Sequence, residues 1–442
     1  MVDLLDDLKA RGLVQDTTDE AELRELLAEP PVTLYLGIDP SADSLHVGHL
    51  VGVMVLRRFA DAGHRPLALI GGATGMIGDP SGRSDERNLL DAAALEANAA
   101  AIERQLGRLL DFDFDCDADF DDASGARLLD FDDASGARLV NNYHWTRDVT
   151  LIDFLRDVGK HVTVNQMIAK DSVRARMQGE QGISFTEFSY MLLQAFDFWW
   201  LHDTHGCRLQ VGGSDQWGNI CAGIDLVRRR SAAAAHGLTW PLMTRADGAK
   251  FGKTAEGAVW LDAERTLPFE LHQYFVNTAD ADAERLLLQL TLLPVDEVSE
   301  IMAAHASAPH ERRAQRRLAD EVCTLVHDDR ATEQARLAAE ALFGDSSPSS
   351  PLSSQQLEAL RGIVPETRLE GSAVGADEPL VDVLVAAGVC TSRSDARRAI
   401  DSGGVSVNGR RIASAGERLE LVDGRYALLQ RGRRRRHLLE IV

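Results

Sequence analysis

Cysteine and lysine are both scarce in this sequence. Five cysteines (Cys116, Cys207, Cys221, Cys323, Cys390) are scattered over 442 residues, and no two of them form a C-x-x-C pair. That argues against a disulfide framework and against structural zinc, and for a reducing, cytoplasmic setting. Long apolar runs are missing too. None approaches the roughly 18 residues of a membrane span, so no membrane partner is expected. The N-terminal MVDLLDDLKARGLV is acidic and amphipathic, unlike a secretory signal. Only five of the 47 basic residues are lysine. A salt-adapted surface and a GC-rich coding bias account for that equally well.

Carboxylates dominate the charge, and the formal net value is −22. They are unevenly placed. Residues 379–442 hold 12 Arg and 7 Asp or Glu, a local balance of +5, which leaves −27 for the rest. An acidic body with a basic tail suits a protein that touches nucleic acid locally. A chain of this length has room for about three domains.

The most informative stretch is TLYLGIDPSADSLHVGHL, residues 33–50. TLYLGI is β-prone and apolar, a buried strand. Asp39, Pro40 and Asp43 form a turn-rich loop, and a helical pattern starts near His46-Val47-Gly48-His49. Two histidines three apart share a helix face, close to free backbone N–H groups and the positive helix end. That arrangement suits a phosphate, with Gly48 leaving room for a nucleoside. H-x-G-H by itself is equally compatible with ordinary surface histidines. H-E-x-x-H is absent and no Cys/His cluster stands nearby, so no metal site is expected.

Downstream, PLALI reads as a second buried strand that enters the glycine-rich GGATGMIGDPSGR. Neither a Walker A loop nor G-x-G-x-x-G is present. Asp79 sits at a strand end, the ligand position of open α/β sheets, and Arg83 and Arg87 follow as phosphate contacts or a solvated basic face. In FTEFSYMLLQAFDF, Tyr190, Gln194 and Asp197 are spaced four then three and share a helix face, as a pocket wall or as core-edge polar groups. GGSDQWGN gives Gly213, Asp215 and Gln216 after a strand, placed for a ribose or simply capping the next helix. GAKFGKT pairs Lys250 with Lys253 and Thr254 in a glycine-punctuated loop that suits phosphates. Residues 119–140 hold a tandem duplication, DFDDASGARLL then DFDDASGARLV, too short for a solenoid and read as a surface hairpin or loop.

The pattern is helical from Leu267 to Phe343. GDSSPSSPLSSQ reads as a linker, with a poorly structured connection to Glu378. After it come two helices, then short strands with Asn408-Gly409 as a hairpin turn. The expected organisation is a parallel-sheet α/β domain at 1–260, a helical domain at 261–343, a Ser/Pro-rich linker and connection at 344–378 and a basic α+β domain at 379–442.

Taken as an ordered set, these stretches resemble one family. HVGH and KFGKT resemble the HIGH and KMSKS signatures of class I aminoacyl-tRNA synthetases. With GGATGMIGDPSGR, FTEFSYMLLQAFDF and GGSDQWGN they look like the bacterial tyrosyl-tRNA synthetases, over nearly the whole chain. The resemblance implies a Rossmann-like catalytic domain, an α-helical anticodon-binding-type domain and a small α+β RNA-binding domain. It implies ATP with Mg2+ as co-substrate, tyrosine and tRNA(Tyr) as partners, and a homodimer with Gly182–Phe188 near the interface.

Site roles follow by resemblance. Tyr35 and Asp197 take the phenolic OH of tyrosine, and Asp79, Tyr190 and Gln194 take its ammonium. Gly37, Asp39, Gly48, Gly213, Asp215 and Gln216 contact the nucleotide. Ser41, His46, His49, Arg83, Arg87, Lys250, Lys253 and Thr254 clamp the departing pyrophosphate. Departures are small: Leu36, Ser41, Gly52 and Arg83 stand where some relatives carry Cys, Thr, Thr and Lys. The alternatives are a tryptophanyl-type synthetase, a non-catalytic RNA-binding relative and a small-substrate nucleotidyltransferase, which is a shorter chain.

Overall fold

Thr33–Ile38 and Arg65–Ile70 are almost continuously apolar, as burial on both sheet faces requires. In the computed structural model of the chain they pair in parallel at the middle of a sheet. The structure describes residues 3–81, 91–110, 120–121, 126–127, 138–178, 182–246, 248, 251–254, 257–344, 351–370, 379–432 and 435–442. The chain divides into two compact units, Met1–Arg265 with Thr278–Leu318, and Thr266–Asn277 with Ala319–Val442.

Eight strands build the sheet of the first unit: β1 (Asp16–Thr17), β2 (Thr33–Ile38), β3 (Arg65–Ile70), β4 (Phe120–Asp121), β5 (Ala126–Arg127), β6 (Arg138–Asn141), β7 (Cys207–Gly213) and β8 (His236–Trp240). Their order is β1-β8-β7-β2-β3-β6-β5-β4. β8, β7, β2, β3 and β6 run parallel, and the short edge strands are antiparallel. β2 has β3 on one side and β7 on the other. That reversal of winding opens a crevice at the C-terminal strand ends, where such sheets bind ligands. The helices Leu50–Asp61 and Phe185–His205 supply crossovers. Tyr35, Leu67, Leu69, Met191, Ala195 and Phe198 share the core beneath the crevice. A two-stranded hairpin, β9 (Lys253–Thr254) with β10 (Gly257–Ala258), follows.

Two sequence expectations change here. The helical stretch 261–343 is shared between the units rather than standing apart. Asp280–Leu290 and Val295–Ser307 belong to the first unit, where the Arg58 guanidinium donates to the Leu288 and Thr291 carbonyls and Gln289 Nε2 donates to Gly12 O at 3.1 Å. Pro268–Val276 and Asp329–Phe343 belong to the second. Amphipathic helices join whichever core covers their apolar face, and composition does not say which.

The described part of the expected linker is folded. Ser353 and Gln356 form a capping box for the helix Ser354–Glu358. Leu352, Leu357 and Leu360 are buried with Tyr426, Leu428 and Leu438. β11 (Glu366–Leu369) then pairs in parallel with the last strand. Serine and proline suggested a spacer, but three leucines at helical and loop positions had a sheet face to cover. The sheet is completed by β12 (Val405–Val407), β13 (Arg410–Arg411), β14 (Tyr426–Arg431) and β15 (Arg435–Ile441), in the order β11-β15-β14-β12-β13. Asn408 and Gly409, at φ 49° and 79°, make the hairpin turn read from the sequence. In the duplicated segment, β4 and β5 of the first copy pair as a hairpin and Ala126 pairs with Val140 of the second. Arg138 and Leu139 of the second copy lie in β6, and the remainder of that segment lies outside the described residues.

Candidate active site

The crevice is lined by residues that follow β2, β3, β6 and β7 and by one face of the helix Phe185–His205. A tight turn after β3 begins the site. A Cβ on Gly71 would lie 2.1 Å from Asp39 Oδ1, so only glycine lets the two loops meet. Asp39 accepts from Thr74 Oγ1 at 2.8 Å and from the Tyr190 hydroxyl at 2.9 Å. Asn142, fully buried after β6, donates to Thr74 Oγ1 at 3.0 Å and to Asp197 Oδ2 at 2.9 Å. Trp145 Nε1 donates to Asp197 Oδ1 at 2.8 Å. A continuous network therefore runs Trp145–Asp197–Asn142–Thr74–Asp39–Tyr190. Burial pushes the Asp197 carboxyl up to about 7, against the pull of its Asn142 and Trp145 donors. Burial also keeps the Tyr35 and Tyr190 phenols protonated, pushing both well above their usual range. The buried Tyr35 hydroxyl has no hydrogen-bond partner among the described residues. An orphaned polar atom in a packed core costs ~1–3 kcal/mol until a ligand meets it.

A second cluster sits around Asp79. Asp79 accepts from Ser81 N at 2.9 Å and Gln216 Nε2 at 2.7 Å. Gln216 Nε2 also reaches Asp215 at 3.4 Å, while its Oε1 accepts from Asn219 at 3.1 Å and Gln194 at 3.4 Å. Gln194 Oε1 is buried without a partner among the described residues. Burial raises the Asp215 carboxyl, and the charge of Asp79 adds to it. A Cβ on Gly213 would stand 2.9 Å from Asp215 Oδ1, so this glycine is held for backbone approach.

The third cluster is the turn before the helix Leu50–Asp61. His46 Nδ1 accepts from Gly48 N and His49 Nδ1 accepts from His46 N, both at 3.1 Å. With both Nδ1 atoms accepting, each neutral ring carries its proton on Nε2 as a donor. The rings stack at 4.0 Å and 22°. Burial, then the neighbouring His46, pushes His49 down to about 3. The space over Gly48 is taken by the His46 ring, 2.8 Å from where a Cβ would stand, rather than left open as its sequence context suggested. Gly252 of KFGKT, at φ +79°, would put a Cβ 2.7 Å from Val47 Cγ2. Val47 N donates to Val259 O and Val259 N to Gly252 O, both at 3.0 Å. The two signature segments thus touch.

The structure brings Tyr35, Asp39, Asp79, Tyr190, Gln194, Asp197, Gly213, Asp215 and Gln216 into the crevice region, and joins His46, Gly48 and His49 in one turn. Gly37 is an exposed position of β2 and Ser41 an exposed position of the loop after it. Lys253 and Thr254 form β9. Arg83, Arg87 and Lys250 lie outside the described residues. Sequence reasoning missed Thr74, Asn142, Trp145, Lys170 and Asn219. NNYHW directly after a buried strand was the available signal for two of them.

A family model for "tRNA synthetases class I (W and Y)" matches residues 27–344, and one for the "Tyrosine--tRNA ligase SYY-like C-terminal domain" matches 356–439. The tyrosine–tRNA ligase of Roseiflexus castenholzii is 49% identical over 446 residues, covering 100% of both chains. The chain belongs to the tyrosine–tRNA ligase family of class I synthetases. The Geobacillus stearothermophilus member of that family is 48% identical over 99% of each chain. A C-terminally truncated mitochondrial tyrosyl-tRNA synthetase of Aspergillus nidulans superposes with a TM-score of 0.68 at 34% identity, over 78% of this chain and 95% of that one. The second family match begins inside the folded part of the supposed linker, in agreement with β11 joining the C-terminal sheet.

Proposed function

We propose that the chain activates L-tyrosine with Mg·ATP and passes the tyrosyl group to the 3′-terminal adenosine of tRNA(Tyr). One observation carries the substrate assignment: the orphaned Tyr35 hydroxyl is buried within reach of the charge of Asp197, whose remaining lone pairs are unclaimed by Asn142 and Trp145. A phenolic OH donates to Asp197 and accepts from Tyr35. Phenylalanine would leave both unpaired. Tyrosyl-tRNA synthetases are themselves the established example of this polar-site discrimination.

Asp79, Tyr190 and Gln194 receive the ammonium. Gly37, Asp39, Gly48, Gly213, Asp215 and Gln216 hold the adenosine and the adenylate, with Asp215 at the ribose. The tyrosine carboxylate attacks the α-phosphorus, the bond to the bridging oxygen breaks, and pyrophosphate leaves with Mg2+. His46 and His49 offer neutral Nε2–H donors. With Ser41, Arg83, Arg87, Lys250, Lys253 and Thr254 they take up the charge on the departing phosphates. Catalysis here is placement plus electrostatic stabilisation and needs no protein acid, base or nucleophile. In the second step the ribose hydroxyl attacks the tyrosyl carbonyl and AMP leaves.

The helices of 261–343 and the basic C-terminal domain hold the tRNA, in a cytoplasmic homodimer. Exposed Leu151, Ile152, Leu155, Val164, Ile168, Met177 and Phe185 support the dimer, as large apolar side chains left to water that a partner subunit would cover. Exchange of labelled pyrophosphate into ATP, run with tyrosine, phenylalanine and tryptophan, tests the reading. Exchange with tyrosine alone is expected, and exchange with tryptophan would overturn the pocket assignment.

A further inference from the structure

Lys170 is one of only five lysines in the chain, and it is drawn into the site from the junction between the helices Val164–Ala169 and Asp171–Gln178. Its Nζ donates to Asn219 Oδ1 and, at 3.3 Å, to Ser81 Oγ. Asn219 is fully buried. The stem lies along Gly218, where a Cβ would stand 3.0 to 3.3 Å from Cε, Cγ and Cδ. A side chain at 218 would displace the lysine.

An ammonium donates and never accepts, whereas a carboxamide presents either end. The Asn219 atom facing Lys170 is therefore oxygen. Its Nδ2 then points to Gln216 Oε1 at 3.1 Å, and Gln216 Nε2 points to Asp79 at 2.7 Å and Asp215 at 3.4 Å. Each amide is set by the one before it. Reversed, the relay would turn Gln216 Oε1 toward two carboxylates, a repulsive contact in a buried site. Gln194 Nε2, which donates to the same Gln216 Oε1 at 3.4 Å, fits the same sense. Ser81 gives a second connection, because its backbone N–H holds Asp79 Oδ1 at 2.9 Å.

We propose that Lys170 is a positioning residue that fixes the direction of the Asn219–Gln216 relay, so that Asp79 and Asp215 meet the substrate with their acceptor lone pairs already placed. The inference rests on the reading of Asp79 as ammonium acceptor. Both are tested by calorimetric binding of tyrosinol and of p-hydroxyphenylpropanol, its desamino counterpart, to the full-length protein.

The wild-type protein is expected to prefer tyrosinol. Lys170→Met is expected to weaken tyrosinol about tenfold, the scale of one charge-assisted hydrogen bond, and to leave the desamino ligand unchanged. Asn219→Asp keeps the lysine anchored as an ion pair but has no N–H for Gln216, so it should show the same selective loss. Lys170→Arg, still a donor only, should recover part of it. Equal weakening of both ligands, or no weakening, in Lys170→Met and Asn219→Asp overturns the relay. A wild-type protein that does not prefer tyrosinol overturns the ammonium reading and the relay with it.

Discussion

Asp197 concentrates the chemistry of the site in one side chain. It is 2% exposed, and its two oxygens already accept one donor each. An unfolded aspartate ionises near 3.8 and this one near 7. Between those values the folded protein holds a proton that the unfolded chain has lost, so this residue subtracts stability as pH rises through that window. The phenol donates more strongly to the ionised form. Tyrosine should therefore raise the melting temperature more at pH 8 than at pH 6, and Asp197→Asn should shrink the rise and remove its pH dependence. A rise of equal size at the two pH values would remove Asp197 as the acceptor. The three polar residues on FTEFSYMLLQAFDF were legible from spacing alone. Asn142 and Trp145, which hold Asp197, were not, because nothing in sequence links the end of β6 to a helix some fifty residues later.

The hairpin β9–β10 shows why a loop sequence and its position are separate questions. KFGKT is recognisable as a phosphate-type loop, but its contact with HVGH depends on Gly252. That glycine combines a left-handed backbone with close approach to Val47. Gly252→Ala meets both obstacles and should cost about 1–3 kcal/mol, placed on this loop. Pyrophosphate exchange should fall at least tenfold in kcat, while tyrosine binding by calorimetry stays near the wild-type value. An unchanged kcat would show that the loop works without contact to the HVGH turn. The helix Ser354–Glu358 and β11 teach the converse: a Ser/Pro-rich composition concealed an element whose leucines complete a sheet.

Among the described residues, seven of the twelve exposed large apolar side chains lie between Leu151 and Phe185. Phe185 is 77% exposed, and Leu151 and Ile152 are 69% exposed. Behind them Arg176 and Glu187 form a buried bidentate pair, at 3.0 and 2.8 Å, that ties the helix Asp171–Gln178 to the helix carrying Tyr190, Gln194 and Asp197. Surface and pocket are thus built on the same helix. Replacing Phe185 and Ile152 together by Asp should convert a dimer to a monomer in light scattering with little change in melting of the monomer. A wild-type protein already monomeric at micromolar concentration would refute the dimer.

The sequence by itself determined which segments become buried strands, since β2 and β3 are apolar on both faces. It determined which turns need glycine or Asn-Gly, and which three residues share the pocket face of one helix. Those are local consequences of side-chain period and backbone sterics. The tertiary structure decided what meets across the crevice: Asp39 with Tyr190, Asp197 with Trp145, Lys170 with Asn219, Gly252 with Val47. It also decided which unit each amphipathic helix joins. Such pairings depend on strand order and on which apolar face remains to be covered, and neither is written in the period of any one segment.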